Sequence, residues 1–496
     1  MVKKSTYFCL LLIFLTAFAI RIYSFWPANI IIGFDQSRDF FDAGKILSGN
    51  LRIIGPTAGN NPNLHHGVAY LYYLATAVLF FGKSPVGMAI LNSIFNALTV
   101  VIVYLLASSL FKNKKNGYIA SILIATSFYY VSFSSWLSNP TVTLFTVPLF
   151  FFGIWEYYEG RNWGLPLTFL ALGLSIQFEL FFLYLILAGI IAWFILRPKL
   201  PTLKNILLSV GVLALTLSTM ILTEIKFGFA GIKSMFTAGE LVGGNTQKLD
   251  FLKSDAFRFD IFPDYKSIGL YLGIFAIIFL LYEVYKKREN LKRNLFLILW
   301  FLSPLLMLLL GIHNAPWFLI GRPASEIIIT AYLLTKVKSK FLLIPLFVLV
   351  ITLNLMAVRE FKNGNKMLLE PDKSAFLSKQ LLVIDYTYKS SKGEKFAINT
   401  VTNPLYINSV WAYNYDWYAK SKYGYLPSFA GGDQIPPYDT LPKSDGKEKV
   451  FYLIIDQTSR IPEIHKQKAI DWATKIGKLV EEKEFDGILV KKYYLK

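Results

Sequence analysis

The sequence predicts a mainly α protein: a polytopic helical bundle of about eleven membrane spans followed by an extracytoplasmic α/β domain. Three observations predict it. Across 496 residues, 54% are hydrophobic and only 17% are charged, more apolar surface than a soluble core needs. The apolar runs recur as far as residue 358, with Lys and Arg collected in the short loops between them. Beyond Arg359 the chain turns to mixed polar sequence with strand-like alternation. The net charge of +19 would suggest nucleic acid in a soluble protein. Here its basic residues follow the topogenic loop pattern, so nucleic acid is not an expected partner. The single cysteine, Cys9, lies in an apolar run, which excludes an intrachain disulfide and a cysteine-based metal site.

Lys3 and Lys4 precede an apolar run over 7–22. Ala17-Phe18-Ala19 resembles a cleavage site, but the run is read as an uncleaved anchor with its N-terminus in the cytoplasm. The run 68–81 is short for a span and would put Lys112, Lys114 and Lys115 outside, so it is expected to lie along the outer surface. Spans then follow near 86–111, 117–133, 140–157, 164–177, 180–196, 206–223, 267–285, 295–310, 317–335 and 341–358. Lys286, Lys287, Arg288, Lys292 and Arg293 are the strongest cytoplasmic marker. Residues 1–358 thus form a plasma-membrane domain, with an outer loop at 26–85, and residues 359–496 an outer domain. Strands are expected in that domain at 395–401, 449–456 and 487–494, and helices at 374–388, 406–422 and 462–484.

Residues 33–67 are the most polar stretch of the apolar half. Asp35, Asp39 and Asp42 stand at i, i+4, i+7 and share one face of a helix, with Arg38 beside them. An N-cap with a solvated acidic face explains that pattern equally well in isolation. Other polar groups at outer span ends favour a site. Gln177 and Glu179 interrupt a long apolar run, where a carboxylate is costly and usually functional. Arg322 and Glu326 form an i, i+4 pair that also suits simple helix pairing. His65 and His66 precede Gly67 and the row Tyr70, Tyr72, Tyr73; adjacent histidines point apart, so they read as positioning groups rather than metal ligands. Asn139-Pro140 and His313 also fall at outer ends. No phosphate-binding G-x-x-x-x-G-K-[ST], no G-x-G-x-x-G after a strand and no H-E-x-x-H is present.

Gly33-Phe34-Asp35, the run from His66 through Tyr73 to Phe81-Gly82, and Trp136-Leu137-Ser138-Asn139-Pro140 together resemble membrane glycosyltransferases of the GT-C fold. The nearest type is that of dolichyl-phosphate-mannose protein mannosyltransferase and lipid A aminoarabinose transferase, glycosyltransferase family 39. Gly173 to Glu179 is similar to a span end in bacterial members, whereas Gln36 replaces the acid that commonly follows the first aspartate. The resemblance implies an inverting transferase that moves a sugar from a polyprenyl-phosphate donor to an acceptor hydroxyl or amine-bearing glycan, lipid or protein at the outer membrane face. It makes Asp35 the base, with Asp39 as a substitute second acid. Arg38, His65, His66, Tyr70, Gln177, Glu179 and Arg322 become substrate-binding candidates. A lipid phosphate is a good leaving group, so one base suffices, and an arginine suits the departing phosphate. Arg322 is the first candidate for that arginine, ahead of Arg38 and Arg52. No cofactor or metal site is predicted, a divalent metal standing as the open alternative.

The second reading is a transporter or lipid flippase, a class that often shows inverted repeats and broken helices in matching halves. The sequence has no such repeat. A surface adhesin or assembly factor would leave Glu179 and Arg322 without a purpose.

Overall fold

The computed structural model describes residues 4–59, 61–237, 255–310, 316–368, 371–432 and 434–496; His313 lies outside them. Its first half is α1 (Lys4–Phe25), α2 (Phe34–Leu47), α3 (Ala69–Phe81), α4 (Pro85–Phe111), α5 (Lys114–Thr126), α6 (Phe128–Ser132), α7 (Thr143–Tyr158), α8 (Gly164–Phe178), α9 (Tyr184–Leu196) and α10 (Leu203–Lys226). A short α11 (Ala230–Thr237) precedes α12 (Lys266–Lys286), α13 (Leu291–Leu302), α14 (Pro323–Lys336) and α15 (Lys340–Lys362). Among the described residues, six helical segments are long and apolar enough to cross a membrane: α1, α4, α10, α12, residues 288–308 and α15. The other expected spans are shorter helices. The run at 117–133 divides at Ser127 into α5 and α6, and the run at 180–196 opens with a 3₁₀ turn before α9.

Local chemistry sets these boundaries. Pro85 sits in the first turn of α4, where its missing N–H costs nothing. Asn113 caps α5 by accepting the Lys115 N–H at 2.9 Å. Inside the apolar bundle, scarce polar side chains tie helices together. The buried Arg21 donates to Asn96 Oδ1 at 2.9 Å and to the carbonyl of Ala125 at 3.2 Å, and Asn96 donates to the Tyr130 carbonyl at 2.7 Å. These bonds join α1, α4 and the α5–α6 pair.

The C-terminal part carries α16 (Leu377–Ser390), β1 (Phe396–Val401), α17 (Ser409–Asn414), a π-helical turn leading to α18 (Lys420–Tyr423), β2 (Ser428–Phe429), β3 (Val450–Asp456), α19 (Glu463–Ile476), β4 (Gly477–Glu484) and β5 (Ile488–Leu495). The sheet order is β2-β1-β3-β5-β4; β2, β1 and β3 run parallel, while β5 is antiparallel to both β3 and β4. All three expected strands form. The helix expected over 462–484 does not: it stops at Ile476, and residues 477–484 turn back as an edge strand. Gly477 adopts an extended backbone there, and pairing with β5 outweighs the helix-compatible Lys/Glu composition. The exposed charges along β4 protect that edge from pairing with another chain.

The segment between α1 and α2 is pinned on both sides. Ile31 bridges Trp136 in parallel and Phe376 in antiparallel register. The Ile32 N–H donates to the Ala375 carbonyl at 2.7 Å, and the Leu377 N–H to that of Ile30 at 2.8 Å. The start of the C-terminal α/β part is therefore hydrogen-bonded to the residues that lead into α2.

Candidate active site

Helix α2 begins after Gly33, whose N–H is held by Gln36 Oε1 at 2.9 Å. Gln36, where the resemblance would place a second acid, thus serves the helix start. The three aspartates share a face, but their surroundings differ. The Asp35 side chain is 67% exposed, whereas that of Asp39 is 3% exposed. Arg38 spans both, donating from Nη1 to Asp35 Oδ1 at 2.8 Å and from Nε to Asp39 Oδ1 at 2.9 Å. Burial pushes the Asp39 carboxyl up to about 7 against the pull of Arg38, and the nearby carboxylates of Asp35 and Asp42 add to the rise. Arg52 Nη1 donates to Asp42 Oδ2 at 2.6 Å.

Residues of the C-terminal α/β part pack on the side of α2 opposite the aspartates, at Ser37, Phe40 and Phe41. Ser37 Oγ and Ser409 Oγ are 2.8 Å apart. The Tyr413 ring packs on Phe40 and Phe41, and the Tyr438 ring on Phe34 and Phe41. Tyr438 lies within the electrostatic reach of Arg38, Asp39, Asp42 and Arg52. None of these aromatic partners was singled out in the sequence; their only local signal is a tyrosine-rich composition.

The polar end of α8 joins from below. Gly67 packs so closely on Gln177 that a Cβ there would overlap the Gln177 side chain. Gln177 Oε1 accepts the Ala69 N–H at 3.4 Å, and its Nε2 donates to the Thr216 carbonyl at 2.7 Å and to Thr219 Oγ1 at 2.9 Å. Both ends of this amide are thus engaged in holding α3, α8 and α10 together. His66 Nδ1 accepts the Leu180 N–H at 3.2 Å and lies 3.2 Å from Glu179 Oε1. Asn139 Nδ2 donates to Glu179 Oε2 at 3.1 Å. Burial, helped by the charges of Arg38 and His65, lowers the His66 imidazole to about 3, so the ring is neutral near pH 7. The buried Tyr70 stacks on Tyr73 with centroids 6.1 Å apart and is within the electrostatic reach of Asp39 and Arg38. His65 stands apart from the carboxylates, with Nδ1 3.1 Å from the Gly55 carbonyl oxygen.

An apolar cavity of about 270 Å³ opens beside this cluster. Ile53, Ile54, His65 and His66 form one wall, and Leu217 and Met220 of α10 face them. Arg52 immediately precedes that wall, so the chain passes within two residues from the Asp42 ion pair to the cavity.

Arg322 stands elsewhere and is already engaged. Its side chain is 1% exposed, with Nε donating to Glu326 Oε1 at 2.7 Å and Nη2 to Asp260 Oδ2 at 3.1 Å. The carbonyls of Asp255 and Arg258 take further bonds at 2.7 and 2.9 Å. Arg322, the first cation expected for a leaving phosphate, thus has four of its five N–H donors engaged within the fold. Arg52, with a side chain 34% exposed and one carboxylate partner, is better placed. Among the described residues, no group of three or more His, Cys, Asp and Glu could hold a metal ion.

Residues 65–222 match the family model described as Dolichyl-phosphate-mannose-protein mannosyltransferase. No curated protein sequence matches the chain. The structure is similar to ArnT from Cupriavidus metallidurans in the apo state, with a TM-score of 0.60 at 9% identity over 99% of this chain and 98% of that one. The same protein bound to undecaprenyl phosphate gives 0.53 at 9% identity over 97% of each chain. The arabinofuranosyltransferase AftD from Mycobacteria, in a mutant form, gives 0.50 at 14% identity over 98% of this chain and 41% of that one. At such identities structural likeness establishes the fold. The GT-C fold read from the sequence is borne out, and with it a multi-pass membrane protein; the match over residues 65–222 to a mannosyltransferase model agrees with the glycosyltransferase class.

Proposed function

We propose that the chain transfers a sugar from a polyprenyl-phosphate donor to an acceptor at the outer membrane face, with inversion, using Asp35 as the base. The observation that carries this reading is the asymmetry of α2. One exposed carboxylate is aimed by an arginine whose other hydrogen bond is anchored on a buried carboxylate. Asp35 keeps lone pairs free to accept a proton from the acceptor. As the new bond forms between the acceptor oxygen or nitrogen and the sugar C1, the bond from C1 to the phosphate oxygen breaks. The proton goes to Asp35 and the electron pair leaves with the phosphate. No general acid is needed for a leaving group that is already a phosphate, unlike the paired carboxylates of glycoside hydrolysis.

Arg52 directly precedes the cavity-lining Ile53 and receives the phosphate, while Ile53, Ile54 and α10 receive the first isoprene units. His66, Glu179 and Asn139 position the cavity wall. Two comparisons support the choice of donor: the match to the dolichyl-phosphate-mannose-protein mannosyltransferase model, and the likeness to ArnT bound to undecaprenyl phosphate. In this reading residues 1–358 are the transferase body, with 26–85 as its outer loop, and 359–496 are an extracytoplasmic domain packed on α2 beside the base.

The test is incubation of the purified chain with a panel of polyprenyl-phosphate sugars, scoring release of free polyprenyl phosphate with and without acceptor extracts. Acceptor-dependent turnover of at least one donor is expected. Binding without turnover across the panel, together with movement of lipid between leaflets in vesicles, would replace this reading with the flippase.

A further inference from the structure

We infer that a second binding site, for the phosphate of an anionic lipid headgroup, lies at the end of the bundle remote from α2. Helix α4 has 27 residues, about 40 Å at 1.5 Å per residue, and its first residue adjoins the outer α/β part, where the Tyr413 hydroxyl donates to the Lys83 carbonyl at 2.7 Å. Its last residue, Phe111, is therefore at the opposite membrane rim. There it borders a cavity of about 490 Å³ between the ends of α4, α12 and α14 and the start of α13. Four cationic side chains line it, Lys286, Lys287, Arg293 and Lys336, against the acids Glu283 and Glu289.

Glu283 does not fill the site; it builds it. Its carboxylate accepts from the Tyr332 hydroxyl at 2.8 Å, Lys336 Nζ at 2.7 Å, Arg293 Nη2 at 3.2 Å and Asn294 Nδ2 at 3.3 Å. Phe111 and Tyr332 stack with centroids 4.1 Å apart, and the Arg293 guanidinium lies 5.0 and 4.9 Å from those centroids. This cation is thus fixed before any ligand arrives, so little ordering entropy is lost on binding. Lys286 makes no side-chain hydrogen bond or ion pair among the described residues, and Lys287 has only a loose contact of 3.8 Å with Glu289. Two ammonium groups therefore remain for an oxyanion, over a polar floor that is already satisfied.

The ligand class follows from depth and surroundings. The cavity sits where helices of membrane-spanning length end, which is headgroup level. Just inside it, α12 turns Phe275, Ile278 and Tyr282 outward, an apolar track for acyl chains directly below the cations. Basic pockets between helices at such a rim suit phosphate headgroups. Lysines that only set topology act through charge and need neither a cavity nor a braced guanidinium.

The test uses the full chain in detergent, titrated with phosphatidylglycerol or phosphatidylcholine and read by native mass spectrometry. The double variant Lys286→Gln/Lys287→Gln should weaken phosphatidylglycerol binding about tenfold or more. Lys338→Gln/Lys340→Gln, which removes the same charge from the same rim outside the cavity, should leave it unchanged. Equal losses in the two doubles, or equal binding of phosphatidylcholine, would overturn the site. Inorganic phosphate that stabilises lipid-free protein as strongly as phosphatidylglycerol does, with the same dependence on Lys286 and Lys287, would overturn the lipid source. Arg288, Lys292 and Arg293 stay in place to preserve insertion.

Discussion

Arg38 and Arg322 are each gripped by two carboxylates, yet their surroundings set them to different tasks. Arg322 is 1% exposed, its partners Glu326 and Asp260 are 1% and 15% exposed, and two backbone carbonyls complete its shell. Arg38 holds one carboxylate that is buried and one that faces outward. A saturated, dry cluster resists change because every group in it would be left unpaired if one were removed. A half-open cluster keeps one reactive group available and fixes its direction. The lesson is that charge at a span end marks a reaction site only where some of its hydrogen-bonding capacity is left unspent.

Four substitutions would break or sharpen that contrast. The largest effect is expected from Asp35→Asn. Transfer should fall by about 100- to 10,000-fold, the usual worth of a general base. The melting temperature should stay near that of the parent, because the side chain is mostly exposed. Retained turnover would remove Asp35 from the mechanism. Arg322→Ala should do the reverse, costing about 3–5 kcal/mol of stability through the buried Glu326 and Asp260 it orphans. A well-folded Arg322→Ala protein with lost turnover would return that arginine to the site.

The third is a pH effect. Folding raises the Asp39 carboxyl from 3.8 to about 7, so the protonated form is the one the fold favours. Its stabilising contribution is full below about 4 and fades as pH rises through about 7. Melting curves of the parent should therefore fall relative to Asp39→Asn across that window, and parallel curves would contradict the assignment. The smallest effect belongs to Ser409→Ala, which removes the bond to Ser37 and should cost about 1 kcal/mol. Its place in the contrast is to show whether the cover over α2 contributes to turnover or only to stability.

The spacing of Asp35, Asp39 and Asp42 was enough to put them on one helix face, and the helix formed over nearly the expected residues. Which of the three is open was not legible, because it depends on neighbours remote in sequence, among them Tyr70, within reach of Asp39, and Tyr438, within reach of Asp39 and Asp42. The same holds for Arg322: its i, i+4 partner Glu326 was visible, but Asp260, 62 positions earlier, was not. The apolar periodicity of the bundle is a local property and read well. The strand at 477–484 read as helix because Lys-Leu-Val-Glu-Glu-Lys-Glu has no strong strand preference of its own, and its pairing with β5 is what decides. The cavity behind Ile53 and Ile54 needed three-dimensional assembly to exist at all.

The double bridge at Ile31 couples distant parts of the molecule mechanically. With one edge stitched to Trp136 and the other to Phe376, the peptide units that lead into Asp35 behave as a stiff axle shared by bundle and C-terminal module. A shortened chain ending after Lys362 would keep every proposed catalytic side chain and still misaim its base, so the two halves should be lost or recovered together when either is swapped for a foreign counterpart.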